Sequence, residues 1–458
     1  MQPIFSFKIR GAYNKIATLT ENQISNGIVA CSAGNHAQGV AYSAKMLNID
    51  AVIVMPKMTP SIKVDSVRKL GGARVVLHGD SYDEAAAEAN RLVELEGRTL
   101  IHPFDDPLVI AGQGTIGVEI LKQTTGRPLH AIFVCCGGGG MLAGIASYVK
   151  QVRPDVKAIG VEAADAAGMT ASLQNKQLTT LDQVGLFADG AAVRKVGSET
   201  FRLCMEHVDA MVTVSTDELC ASIKAAFEDT RCILEPAGAL AIAGACQWSE
   251  EHGTSGETYV AISSGANMNF DSLRFVSERA DASETLLSVQ IPEQPGAFRR
   301  FISRLSPHNV TEFAYRFNGT EHAYVLVSFQ AKGNDEVKRV RRVLHDDGCE
   351  TINLQDNEMA KVHVRHLAGG RVDVPNELVY RFEFPERPGA LVNFLDKLDG
   401  GWNVTMFHYR NHGGDVGHVL AGIQVPEDEQ QRFGDFLSRL QYVFHPESDN
   451  ESYTRFLR

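Results

Sequence analysis

Lys8 lies in the heptapeptide Ser6-Phe7-Lys8-Ile9-Arg10-Gly11-Ala12, a more apolar setting than a solvated surface lysine needs. A lysine that must shed its proton and attack a carbonyl is helped there, because partial desolvation destabilises the ammonium form and frees the amine. A plain lysine at the mouth of a helix could carry the same neighbours, so the heptapeptide alone leaves both readings open. Three later stretches bear on the choice. Gly137-Gly138-Gly139-Gly140 precedes a helical pattern from Met141 to Tyr148. Four consecutive glycines cost folding entropy, yet they let backbone N–H groups converge, and a helix N-terminus behind them completes a cradle for an anion such as a phosphate. The alternative is a flexible turn. In Ser32-Ala33-Gly34-Asn35-His36 the Asn35 amide either caps a helix or donates to a ring hydroxyl admitted by its small neighbours. In Val260-Ala261-Ile262-Ser263-Ser264-Gly265-Ala266-Asn267 a hydroxyl can bond a heteroaromatic nitrogen without protonating it.

These loops need elements to hold them. Gly27–Cys31, Ala51–Met55, Arg74–Leu77, Thr99–Ile101, His130–Cys135 and Ala158–Val161 are short apolar runs separated by helix-length segments. Near-continuous apolar strands alternating with helices predict a parallel sheet covered on both faces. Such sheets take ligands at the carboxyl ends of their strands, where the loops above fall. The glycine loop is not a G-x-G-x-x-G fingerprint, and Glu162, near the spacing of a ribose ligand, follows the next strand. A phosphate without a dinucleotide fits better. Lysine, phosphate loop, amide and hydroxyl together describe four grips on pyridoxal 5'-phosphate.

At 458 residues the chain suits two to four domains, and its 44% hydrophobic and 22% charged residues are those of a soluble globular protein. A net charge of -12 without a basic run argues against a nucleic-acid partner. No apolar run approaches the roughly 20 residues that span a bilayer, and the start lacks a signal peptide's charged and apolar regions. Eight cysteines without a C-x-x-C pair point to a reducing compartment, with Cys135-Cys136 as the end of a buried strand.

Ser277 to Glu284 is polar, charged and without strong periodicity, which marks a boundary. Beyond it the chain repeats itself. Pro292-Glu293-Gln294-Pro295-Gly296-Ala297-Phe298 returns 93 positions later as Pro385-Glu386-Arg387-Pro388-Gly389-Ala390-Leu391. Asn309-Val310-Thr311-Glu312-Phe313-Ala314-Tyr315-Arg316 returns 94 positions later as Asn403-Val404-Thr405-Met406-Phe407-His408-Tyr409-Arg410, so one inserted residue reconciles the spacings. Each copy opens with an alternating strand, followed by a Pro-Gly turn, an amphipathic helix and further strands.

The stretches at Lys8, Asn35, Gly137–Gly140 and Ser264, together with Glu235-Pro236-Ala237-Gly238-Ala239, resemble the serine/threonine dehydratase family of fold-type II pyridoxal enzymes from residue 1 to about 280. By that resemblance Lys8 binds the cofactor covalently as an imine and acts as base, Phe7 packs beside it, and Asn35 meets the cofactor's 3'-oxygen. Gly137, Gly138, Gly139, Gly140 and Met141 hold its phosphate, Met141 standing where leucine is common. Ser264 faces the pyridine nitrogen, and the resemblance gives His36 no role beyond packing.

The duplicated tail resembles the ACT-like regulatory domains of biosynthetic members, of ferredoxin-like topology. The resemblance implies an α/β catalytic domain at 1–280 and α+β regulatory domains at 285–360 and 377–450. It implies PLP-dependent deamination of L-threonine to 2-oxobutanoate and ammonia at the head of isoleucine synthesis. Isoleucine is the implied inhibitor, valine an antagonist in some members, and a homotetramer the usual assembly. The alternatives are a serine dehydratase or racemase acting on L-serine, an idle isoleucine-binding protein, and, for the tail, a dimerisation module without a ligand. Members carry tens of residues before the lysine heptapeptide, so a shortened form is expected here. The implied location is the plastid stroma for a plant chain and the cytoplasm otherwise.

Overall fold

The computed structural model describes residues 3–253, 255–280, 284–292, 301, 304–305, 308, 310–314, 322–331, 333–364, 374–385, 402–410, 416–440 and 442–458. The chain divides into two compact units, Met1–Ala280 and Asp281–Arg458.

The first unit holds two all-parallel four-stranded sheets, where the sequence reading takes a single one. Strands β1 (Ile28–Cys31), β2 (Ala51–Met55), β3 (Arg74–Leu77) and β4 (Thr99–Leu100) lie in the order β3-β2-β1-β4. Strands β5 (Ala131–Cys135), β6 (Lys157–Ala163), β7 (Ala210–Val214) and β8 (Tyr259–Ala261) lie in the order β7-β6-β5-β8. Every residue of β1, β2 and β5 is buried, as expected of strands covered on both faces. The alternation divides because β4 pairs for only two residues on the outer side of β1, and β5 starts a new sheet with β6 and β8. The edge strand β7 is only partly buried, so its apolar signal is weaker.

Helices α1 (Lys8–Ala17), α2 (Glu21–Asn26), α3 (Asn35–Leu47), α4 (Ser61–Leu70), α5 (Tyr82–Glu96), α6 (Pro107–Gln123), α7 (Gly140–Val152), α8 (Gly168–Asn175), α9 (Ser198–His207), α10 (Thr216–Thr230), α11 (Pro236–His252) and α12 (Leu273–Arg279) complete this unit. Helix α1 is wedged between α3 and α6 where side chains are missing. A Cβ on Gly11 would stand 2.7 Å from the Val109 carbonyl, and one on Gly39 would stand 3.3 Å from the Lys8 backbone. That close approach fixes the helix on which Lys8 is the first residue.

The second unit contains two antiparallel sheets of one design. Strands β9 (Glu284–Pro292), β10 (Val310–Ala314), β11 (His322–Gln330) and β12 (Glu350–Asn353) lie in the order β10-β11-β9-β12. Strands β13 (Glu377–Pro385), β14 (Asn403–Arg410), β15 (Val416–Gln424) and β16 (Val443–Pro446) repeat it as β14-β15-β13-β16, the ferredoxin-like arrangement. The copies share local irregularities as well. Pairing shifts register between Val310 and Glu312 and again between Val404 and Met406, at the same step of the repeat. The Leu354 amide donates to Leu286 and the Glu447 amide to Val379, positions again 93 apart. One face of each sheet packs on its own helix, Asn334–Asp346 or Gln430–Leu440. A third core joins Leu286, Leu326, Leu354 and Met359 of the first copy to Val379, Leu420, Tyr453 and Leu457 of the second. At this junction the counterparts Asn357 and Asn450 touch, the Asn357 Nδ2 donating to Asn450 Oδ1 at 3.3 Å. The Pro-Gly turns at 293–298 and 386–391, with Asn309, Tyr315 and Arg316, lie outside the described residues.

Candidate active site

Lys8 is brought to its place by a short antiparallel contact between the start of the chain and the loop after β8. The Phe7 amide donates to the Ser264 carbonyl at 3.1 Å, the Ala266 amide to the Phe5 carbonyl at 2.8 Å, and Ser6 bridges Gly265. The Lys8 Nζ donates to the Pro103 carbonyl at 3.2 Å and lies 5.2 Å from the centroid of the Phe7 ring. As a residue Lys8 is only partly covered, yet its amine is desolvated enough that its pKa falls to about 8, despite the opposing pull of Cys135 and Glu235. A drop from 10.5 to about 8 raises the free amine at neutral pH by roughly 300-fold.

Phe7, Lys8 and Ser264 are therefore neighbours. Ser264 is buried, donates to the Ala237 carbonyl at 3.4 Å and also bonds the Cys135 side chain, which closes β5 just before the glycine loop. Burial pushes the Cys135 thiol up to about 12 and the Cys136 thiol well above its ordinary value, so both are inert strand-end groups.

The glycine loop is packed from behind. A Cβ on Gly138 would sit 2.3 Å from the Phe104 ring, and one on Gly137 would sit 2.9 Å from the Ala191 Cα. Gly139 adopts φ +91°, in the left-handed region that favours glycine. The Gly138 carbonyl accepts from the Thr200 hydroxyl at 2.7 Å, and the trans peptide aims the Gly139 N–H the other way. The first turn of α7 has no intrahelical acceptors for its N–H groups, so loop and helix together present donors to an anion. Met141 is buried in the core of this half, so its side chain packs inward and its backbone belongs to the helix start. Glu162 accepts from the Met169 amide at 2.8 Å and from the Thr170 amide and hydroxyl at 2.8 and 2.6 Å, and so secures the start of α8.

Asn35 is the first residue of α3 and does not cap it, its Nδ2 donating instead to Glu235 Oε1 at 2.6 Å. Its Oδ1 accepts from Asn267 Nδ2 at 2.7 Å. Glu235 stands at the N-cap of α11 without capping it, and its second oxygen accepts from the Asn267 amide at 3.2 Å. Burial, and then the Asp189 charge, raise its pKa to about 7 against the bonds from Asn35 and Asn267. Asp189 is itself paired with Lys63 of α4 at 2.7 Å. His36 is buried with Nε2 on the Ile101 carbonyl at 2.8 Å, and desolvation, with Lys8 nearby, pulls its pKa down to about 3. It is a neutral packed residue. Sequence reasoning gives Glu235 and Asn267 no role, although both lie in stretches it singles out; an acid before a proline at a helix start reads as an ordinary cap.

The residues fit pyridoxal phosphate: a desolvated amine, a hydroxyl that is not an acid, an amide with an oriented N–H, and backbone donors converging on one loop.

Residues 1–265 match the family model described as pyridoxal-phosphate dependent enzyme. Residues 277–364 and 368–457 each match that of the C-terminal regulatory domain of threonine dehydratase. The chain is 50% identical to the biosynthetic L-threonine dehydratase of Burkholderia multivorans, across 100% of this chain and 91% of the relative. It is 53% identical to the chloroplastic biosynthetic threonine dehydratase 1 of Solanum lycopersicum, across 99% of this chain and 75% of the relative. Among solved structures it resembles the processed form of threonine deaminase isoform 2 from Solanum lycopersicum, with a TM-score of 0.59 and 50% identity over 61% of this chain and 80% of that one. It also resembles serine racemase from Dictyostelium discoideum, with a TM-score of 0.54 and 32% identity over 58% of this chain and 84% of that one.

Proposed function

The chain belongs to the biosynthetic threonine dehydratase family of pyridoxal-phosphate dependent enzymes, and from that premise we infer that it deaminates L-threonine to 2-oxobutanoate and ammonia, the first step of isoleucine biosynthesis. Pyridoxal phosphate, when bound, supplies an electron sink for the charge left as the substrate's α-proton departs. The chain's residues do the rest. Lys8 holds the cofactor and takes the α-proton, a role suited to an amine whose pKa is about 8. Gly137 to Gly140 and the Met141 backbone hold the phosphate, Phe7 packs beside Lys8, and Asn35 grips the 3'-oxygen. Ser264 bonds the pyridine nitrogen without protonating it, which limits carbanion stabilisation and favours elimination of the β-hydroxyl over transamination.

The observation that carries this reading is the desolvated Lys8 amine beside Ser264 and the end of β5, in a chain half identical throughout to biosynthetic threonine dehydratases. Lys8→Ala in the full chain abolishes 2-oxobutanoate formation from threonine at saturating pyridoxal phosphate; retained turnover overturns the assignment.

The serine racemase resemblance covers 58% of the chain, whereas the regulatory match at 277–364 and 368–457 supports threonine as substrate. Residues 1–280 form the catalytic domain in this reading, and 285–360 and 377–450 bind an amino-acid effector. We assign isoleucine as the inhibitor, valine as its antagonist and a homotetramer as the assembly; isoleucine titration of the threonine rate, with and without valine, tests the effector roles. Among the described residues no helix is long and apolar enough to cross a membrane, and plastid stroma or cytoplasm is the proposed location according to source.

A further inference from the structure

The Glu-Pro-Ala-Gly-Ala stretch and the terminal asparagine of Ser-Gly-Ala-Asn have no part in the chemistry above, yet they meet at Asn35. A side-chain amide can sit in either of two orientations, and its neighbours decide which. Here the decision runs from the two ends of the hydrogen-bond chain, the Ile4 carbonyl and the Glu235 carboxyl. Asn267 Nδ2 donates to the Ile4 carbonyl at 2.8 Å, which orients Asn267 and directs the same nitrogen to Asn35 Oδ1 at 2.7 Å. At the other end Asn35 Nδ2 donates to the Glu235 carboxylate at 2.6 Å. A flipped Asn35 would set oxygen against carboxylate and nitrogen against nitrogen. Glu235 is itself fixed, because its oxygens take donors from Asn35 and from the Asn267 backbone and it lies against Gly265, where a Cβ would fall 1.9 Å from Oε1. With one N–H on Glu235, Asn35 keeps one more to give.

We propose that Glu235 and Asn267 are positioning residues that lock the Asn35 amide in the orientation offering an N–H, rather than its carbonyl, to the 3'-oxygen of pyridoxal phosphate. The inference rests on the reading of Asn35 as a cofactor contact. It also explains the residue types: glutamine at 235 would bring an NH₂ to one of two donors, and an aliphatic residue at 267 would release Asn35 Oδ1.

The test is a spectrophotometric titration of full chain stripped of its cofactor with pyridoxal phosphate, for wild type, Glu235→Gln, Asn267→Ala, Asn35→Ala and each pair with Asn35→Ala, alongside apo-protein thermal unfolding. Each single substitution weakens binding about tenfold, and each double binds no more weakly than Asn35→Ala alone, because the positioning residues act through an amide no longer there. Losses that multiply to about a hundredfold in the doubles overturn the proposal, as does wild-type affinity in both Glu235→Gln and Asn267→Ala. Should Glu235→Gln fail to fold, Asn267→Ala decides by the same criterion. Wild-type affinity in Asn35→Ala refutes Asn35 as a cofactor contact, and the proposal with it.

Discussion

The catalytic and regulatory units both bury charge, but they do so differently. In the catalytic unit Lys8 and Glu235 lie at helix starts without a direct salt bridge to one another, and desolvation moves them to about 8 and about 7. In the regulatory unit Arg381, mostly buried, meets Glu383 at 2.9 Å and Glu447 at 3.2 Å, an ion group in which each charge faces one of opposite sign. Its counterparts in the first copy are Ser288, Gln290 and Leu354, so the duplicated fold stands with the ion group or without it. Reactivity needs charge held uncomfortably near neutral pH, whereas architecture needs only shape and satisfied pairs.

That contrast can be broken in three ways. The largest effect is on cofactor capture, since only free amine reacts. The rate at which the apo-protein takes up pyridoxal phosphate, followed by stopped-flow absorbance, rises about fiftyfold from pH 6 to pH 8 and then levels. A rate still climbing steeply to pH 10 would mean that Lys8 titrates as an ordinary lysine. Next in size, Glu447→Ala removes one partner of Arg381 and the acceptor of Asn450, costing the regulatory unit about 3 kcal/mol in denaturant unfolding while threonine turnover without effector stays within about twofold. The smallest effects come from paired glycine substitutions. Gly138→Ala drives a methyl into the Phe104 ring, costs about 1–3 kcal/mol and weakens pyridoxal phosphate binding. Gly434→Ala, on a helix with open space around it, adds about 0.5–1 kcal/mol.

The strands of the catalytic unit were legible because parallel strands read as unbroken apolar runs: Ala51–Met55, buried throughout, stands as read, and so does the edge strand Arg74–Leu77, where Val75-Val76-Leu77 carried the signal despite partial exposure. Their division into two sheets was not, since it depends on which edges meet rather than on local pattern. The same distinction holds at the site. Lys8 and the glycine loop announce themselves by composition, while the partners of Asn35 are set by contacts 200 and 232 positions away. In the tail the repeat exposed the duplication, and pairing then showed that it extends to the irregular step at Val310 and Val404.

The stitch between the first residues and the loop after β8 also sets a schedule for biosynthesis. Ile4 and Asn267 are 263 positions apart, so at about 5–20 residues per second the ribosome needs roughly 13–50 s between making the one and the other. Lys8 is translated almost first and acquires its surroundings only when the far end of its unit has emerged. A nascent chain stalled before residue 264 would carry the lysine but lack the strand-end contact that seats it.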